Sequence, residues 1–220
     1  MPRTIAIGDI HGCSKTFLSL LDKLDITEND VLYLLGDYID RGPDSKGVIN
    51  TILALKENNY QVHTLRGNHE QMMFDSEGGF GKFVSWISNG GDTTLESFGV
   101  DFFEELNPVY KDFFLQTKTF YHTDQFVFAH AGLNFEVEDI FEDEAAMLWI
   151  RGFNEMQPKL ETKLLIYGHT PKPLADILTQ KGNCINLDGG CVFAGKSEGM
   201  GYLVALVLET KEFIYVQNCE

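Results

Sequence analysis

Five short motifs carry residues that could do chemistry. Gly-Asp-Ile-His-Gly holds Asp9 and His11, and Gly-Asp-Tyr-Ile-Asp-Arg-Gly holds Asp37, Asp40 and Arg41. Arg-Gly-Asn-His-Glu holds Arg66, Asn68 and His69, while His130 opens His-Ala-Gly and His169 lies in Gly-His-Thr. Carboxylate oxygen, imidazole nitrogen and amide oxygen are the donors that hard and borderline divalent cations take. No cysteine lies among them, which argues against a structural zinc centre. Two cations about 3.5–4 Å apart need a carboxylate between them. Asp37, central in the order of motifs, is the expected bridge. Asp9, His11 and His169 are assigned to one cation, and Asn68 and His130, with Asp37, to the other. Mn²⁺, Fe or Zn²⁺ all suit this mixture. A water shared by the pair would be hydroxide near neutral pH and could attack phosphorus in line. The departing alkoxide then needs a proton, for which His69 is the candidate donor and Asp40 the carboxylate that orients it. Arg41, Arg66 and Arg151 are candidate phosphate clamps, because a guanidinium fork binds phosphate bidentately.

Each motif follows a short apolar run. Residues 4–7, 31–35, 61–65, 126–129 and 164–167 read as buried strands broken by glycine or by the motif itself. Ser14 is expected to cap a helix whose Phe17, Leu18, Leu21 and Leu24 share one face. A second helix, from Asp44 or Ser45, buries Val48, Ile49, Ile52 and Leu55. Asp37 follows Asp9 by 28 positions and Asn68 follows Asp37 by 31, spacings that fit β-α-β crossovers. In such sheets ligands gather at the carboxyl ends of strands. His63 and His122, outside the motifs, read as core histidines. A single such motif is most simply a turn, but metal-ligand residue types at five successive strand ends argue for one site.

Length and composition bound the rest. The 220 residues, 44% hydrophobic and 23% charged, suit one domain over 1–220. The formal charge of −16 disfavours nucleic-acid and acidic-membrane partners. Two dications and the arginines would make a locally positive pocket for a phosphorylated substrate. Four scattered cysteines read as reduced thiols, and the absence of a long apolar run predicts a cytoplasmic protein.

In order and wording the motifs resemble those of the PPP-type protein serine/threonine phosphatases. Arg-Gly-Asn-His-Glu-Gln-Met-Met at 66–73, followed by Asn89-Gly90-Gly91, is similar to the bacteriophage-lambda-phosphatase-like bacterial members. That resemblance implies an α/β calcineurin-like metallophosphoesterase fold, a two-sheet sandwich flanked by helices. It also implies a dinuclear, Mn²⁺-supported site and hydrolysis of phosphoserine or phosphothreonine in a protein or peptide substrate. It supports the roles assigned above to the ligands, the His69–Asp40 pair and the three arginines. Arg151 departs slightly, since Ile150 stands where the lambda-like members have Asn.

Symmetric diadenosine tetraphosphate hydrolases share most of these motifs and form the alternative. They usually differ at the positions of Asp40 and Glu70, so phosphoprotein is the preferred substrate. A binding protein without catalysis would be expected to lack a ligand or the acid. The stretch of about 74–118 reads as a helical, aromatic-rich subregion that starts one helix at Asn107-Pro108 and could wall the site. Strands at 184–187, 202–208 and 213–216 are expected to build the second sheet, and the Asp188-Gly189-Gly190 loop to approach the site.

Overall fold

The computed structural model describes residues 2–153 and 157–220. The chain alternates β1 (Thr4–Ile7), α1 (Ser14–Leu24), β2 (Val31–Leu34), α2 (Ser45–Glu57) and β3 (Gln61–Thr64). Both crossovers leave their strands parallel, with Ile5 beside Leu32 and Leu32 beside Val62. A helical stretch follows: α3 (Asn68–Asp75), α4 (Phe80–Trp86), a π-helical turn over Ile87–Gly91, α5 (Asp92–Phe98) and α6 (Pro108–Leu115). The remainder is β4 (Phe120–His122), β5 (Phe126–Ala129), α7 (Glu144–Trp149), β6 (Leu164–Tyr167), α8 (Leu174–Leu178), β7 (Cys184–Asn186), β8 (Tyr202–Val207) and β9 (Glu212–Gln217).

The strands form two sheets, ordered β3-β2-β1-β8-β9 and β4-β5-β6-β7. This is the expected sandwich, with one correction. β8 and β9 do not join the second sheet; β8 runs antiparallel to β1, and β9 pairs only with β8. The physical reason is the hairpin at Thr210-Lys211, which keeps β9 on β8, while β8 covers the open edge of β1. Only β7 enters the second sheet, parallel to β6. β4, which follows the helical stretch of about 74–118 and is not marked as a strand by the sequence, closes that sheet antiparallel to β5.

Period-two alternation decides which residues meet. Ala6, Tyr33, Val204 and Leu206 point between the sheets and pack with Phe128, Ile166 and Ile185 of the second sheet. Their neighbours Ile5, Ile7, Leu32 and Leu34 point outward onto α1 and α2. Val127, Ala129 and Leu165 do the same on the far side, under Met147 of α7. The layers therefore run helix, sheet, sheet, helix.

Helix details correct two readings. Ser14 does not cap α1, since Cys13 occupies that position; the Ser14 hydroxyl donates to Asp44 instead, at 2.7 Å. Leu20 rather than Leu18 completes the buried face, and Leu18 is 48% exposed. α2 begins as expected, its cap Asp44 accepting from the Gly47 N–H at 2.9 Å, and Asn107 likewise caps α6. His63 is half-buried and stacks on Tyr33, whereas His122 is exposed and not a core residue. All four cysteines are free thiols, three of them buried.

Candidate active site

The strand-end motifs converge where the carboxyl ends of the two sheets meet. Asp9 and His11 follow β1, Asp37 follows β2, Asn68 and His69 open α3 after β3, His130 follows β5 and His169 follows β6. All seven are buried. His11, Asp37, Asp40, Arg41 and His169 each hold a left-handed backbone, with φ between 47° and 71°. Such conformations cost about 1–3 kcal/mol where packing does not compensate, and they cluster at functional sites. Here they turn the chain sharply off each strand, so that side chains fall inward. The turns need close backbone approach as well. A Cβ on Gly67 would lie 2.1 Å from Asp37 Oδ1, and one on Gly168 would lie 2.0 Å from Asp9 Oδ1.

Hydrogen bonds set the imidazole tautomers. His11 Nδ1 lies 2.8 Å from the Ile39 carbonyl and His130 Nδ1 lies 2.9 Å from the Leu35 carbonyl. A carbonyl only accepts, so each Nδ1 carries the proton and each Nε2 presents a lone pair. Burial pushes His11 down to about 3 and lowers His130 as well, so both rings are neutral. His130 Nε2 then faces Asn68 Oδ1 at 2.9 Å and Asp37 Oδ1 at 3.5 Å. His169 Nδ1 is 2.8 Å from the same Asn68 oxygen, while its Nε2 is buried with no partner.

Lone pairs directed at lone pairs, beside a buried orphan nitrogen, fit a cation. Asp37, His130 and His169 offer ligand atoms within 4.8 Å of one another, and so do His11, Asp37 and His69. Asp37 belongs to both groups, as expected of a bridge. His169 corrects the assignment from sequence. Its ring lies with Asn68 and His130, and only its backbone N–H reaches Asp9, at 3.1 Å. The cause is the neighbourhood of β5 and β6, which places the rings of His130 and His169 edge to face at 5.1 Å.

His69 is held differently. Its Nδ1–H donates to Asp40 Oδ2 at 2.7 Å. Asp40 also accepts from Trp86 Nε1 at 2.9 Å and from the Thr94 hydroxyl at 2.7 Å. Burial works to lower the His69 pKa, but the Asp37 and Asp40 carboxylates outweigh it and the net shift is upward. A donor near neutral pH needs that shift.

The arginines divide. Arg41 Nη1 lies 2.8 Å from His11 Nε2, at the cluster itself. Arg151 is exposed and donates to the Thr170 hydroxyl at 3.3 Å, next to His169. Arg66 has its own protein partners. Its guanidinium donates to Thr117 and Gln71 and lies over the Phe74 ring at 4.8 Å, so its fork is engaged by α3 and the α6–β4 connection.

Two buried acids were missed as site residues. The Glu70 carboxylate accepts from the N–H groups of Gly67, Asp37 and Tyr38 at 2.8–2.9 Å, tying the start of α3 to the loop that carries Asp37. Burial, then the charge of Asp37, pushes it up to about 7. Asp188, in the loop expected to approach the site, is pushed up to about 7 by burial, and Asp37 and Arg41 both act on it. The Asn-His-Glu string was the available signal for Glu70. Trp86 and Thr94 had none, because only folding brings the helical stretch to Asp40.

A model of the calcineurin-like phosphoesterases matches residues 2–173. The chain is 33% identical over 146 residues to a symmetrical bis(5′-nucleosyl)-tetraphosphatase of Nitrosomonas europaea, covering 61% of this chain and 47% of that one. It is 40% identical over 87 residues to serine/threonine-protein phosphatase 1 of Salmonella typhimurium, covering 39% of this chain and 38% of the relative. These two matches thus span less than half of each relative. An asymmetrical bis(5′-nucleosyl)-tetraphosphatase of Anoxybacillus flavithermus is 28% identical over 89% of both chains. In fold, a candidate diadenosine tetraphosphatase superposes with a TM-score of 0.70 at 20% identity, over 100% of this chain and 97% of that one. A protein serine/threonine phosphatase from Saccharomyces cerevisiae does so at 0.64 and 16%, over 100% and 81%. With the family matched along most of its length and the ligand cluster in place, this chain belongs to the calcineurin-like phosphoesterase family.

Proposed function

We propose that the chain hydrolyses bis(5′-nucleosyl) tetraphosphates at a two-cation site. The observation that supports this substrate class is the relative that acts on it and matches 89% of both chains. This reverses the preference drawn from the motifs alone. Asp9, His11 and Asp37 would hold one cation, and Asp37, Asn68, His130 and His169 the other. When bound, the cations neutralise phosphoryl oxygens and acidify an attacking water. Mn²⁺ is the expected occupant. Arg41 lies where it can clamp a phosphoryl oxygen beside His11, and Arg151 approaches from the His169 side. As an imidazolium held through Nδ1–H by Asp40, His69 would carry a second proton at Nε2, available to a leaving group that needs one.

One observation favours a second reading, phosphoserine or phosphothreonine hydrolysis in a protein. A nucleotide leaves as a weakly basic phosphate and scarcely needs an acid, whereas an alkoxide does. The His69–Asp40 pair, anchored by Trp86 and Thr94, supplies one. The test measures phosphate and nucleotide release after EDTA treatment and Mn²⁺ addition, with diadenosine tetraphosphate and a phosphothreonine peptide in parallel. Preferred turnover of the dinucleotide supports the proposal, and chromatography separates paired ADP from AMP plus ATP. Turnover of the peptide alone would replace it with the second reading.

A further inference from the structure

A cleft of about 390 Å³ opens beside Arg41, outside the ligand cluster. Three segments distant in sequence build it. Arg41 comes from the loop after β2, Ser88 and Asn89 from the π-helical turn, and Phe193 and Lys196 from the β7–β8 connection. Arg41 ties them together. Its backbone N–H donates to the Gly90 carbonyl at 3.1 Å, and its guanidinium carbon lies 5.5 Å from the Phe193 ring centre. The same guanidinium reaches His11 Nε2 at 2.8 Å. One arginine therefore borders both the ligand cluster and an aromatic-walled cleft.

We infer that this cleft binds the nucleoside 5′-phosphate end of the substrate. The inference rests on the reading given under Proposed function. Phe193 is half-buried and offers a flat apolar surface on which any base can stack. Asn89 Nδ2 donates to the Ser85 carbonyl at 2.8 Å, which leaves Oδ1 to accept from an exocyclic amine of the base. Arg41 faces the phosphate next to the nucleoside, and Lys196, exposed at the rim, meets those beyond it. A phosphopeptide fits less well, since it brings no flat ring at a fixed distance from its phosphate. Stacking subsites of this kind select the class of substrate rather than one base.

The test compares Phe193→Ala and Phe193→Tyr with the wild type, on diadenosine tetraphosphate and on p-nitrophenyl phosphate, which has no nucleoside. For the alanine variant the ratio of kcat/KM values, dinucleotide over p-nitrophenyl phosphate, is expected to fall about tenfold, and tyrosine is expected to restore it. An equal loss on both substrates, or none, would overturn the inference. AMP and inorganic phosphate are also compared as inhibitors of p-nitrophenyl phosphate hydrolysis. AMP is expected to bind the wild type more tightly than phosphate does and to lose that advantage in Phe193→Ala. If the dinucleotide is not turned over, the proposed function fails, and the inhibition data decide the cleft alone. AMP binding no tighter than phosphate would then reject it.

Discussion

At the residue scale, His69 and the arginines make the sharpest claims. His69→Asn keeps a side chain of similar polarity but cannot supply an acidic proton. We expect kcat to fall by about 10²–10⁴ on a phosphothreonine peptide and much less on p-nitrophenyl phosphate, whose leaving group is a weak base. Bound metal, measured by elemental analysis, should be retained, and equal losses on both substrates would remove His69 as the acid. Trp86→Phe removes the indole donor to Asp40 while keeping an aromatic ring in the core. A smaller loss, about threefold to tenfold in kcat, is expected, again largest for the poorest leaving group. If Trp86→Phe instead changed only thermal stability, the indole would be packing and not positioning. Arg66→Ala should weaken folding more than catalysis, because its fork holds Thr117 and Gln71.

At the element scale, two carboxylates pin segments that would otherwise be held by short loops alone. Glu70 joins α3 to the loop after β2 through the N–H groups of Asp37 and Tyr38, and closes the start of α3 through that of Gly67. Glu70→Gln retains one acceptor oxygen and turns an NH₂ toward the rest. A destabilisation of about 1–3 kcal/mol in urea unfolding is expected, with weakened metal binding because Asp37 is displaced. Asp30 does the same for the starts of β1 and β2, accepting from Arg3 Nη2 at 2.6 Å and from the Thr27 N–H at 2.8 Å. The Arg3 hydrogen bond holds its carboxyl well below the usual range. That stability is fully present above the ordinary aspartate pKa of about 3.9 and is lost as pH falls toward the folded value. Since Arg3 is partly exposed, about 1 kcal/mol is expected at pH 7. Asp30→Asn should lower the neutral-pH midpoint and flatten the decline below pH 4; an unchanged acid limb would show that the pair contributes nothing.

At the scale of the whole molecule, the site is a seam. Asp9, His11, Asp37 and Asn68 follow strands of one sheet, and His130 and His169 follow strands of the other. Without counter-charge, burial beside Asp188 and Asp37 drives the Asp9 pKa far upward, so the acids oppose one another. Cations held there by Asp9, Asp37, His130 and His169 would relieve that opposition and tie the sheets together. Mn²⁺ is therefore expected to raise the calorimetric Tm after EDTA treatment, with a rise that grows with metal concentration. In His169→Ala that rise should shrink; a Tm indifferent to metal would count against the site. Among the described residues, no helix is long and apolar enough to cross a membrane.

Much of this was legible in the amino-acid order. Apolar runs ending in glycine or in a motif marked β1, β2, β3, β5 and β6, because a buried strand needs continuous apolar residues and a sharp exit needs permissive backbone. The ligand types were readable because cation chemistry admits few side chains. By itself the sequence determined those five strands, the candidate donors and the crossover order. Which donors lie together, where β8 and β9 pair, and that the Arg66 fork meets Thr117 and Gln71 were decided only by tertiary structure. So was the meeting of Trp86 and Thr94 with Asp40. These are contacts between residues far apart in the chain. Local periodicity carries no record of them, because they arise only when two twisted sheets pack and bring separate strand ends to one place.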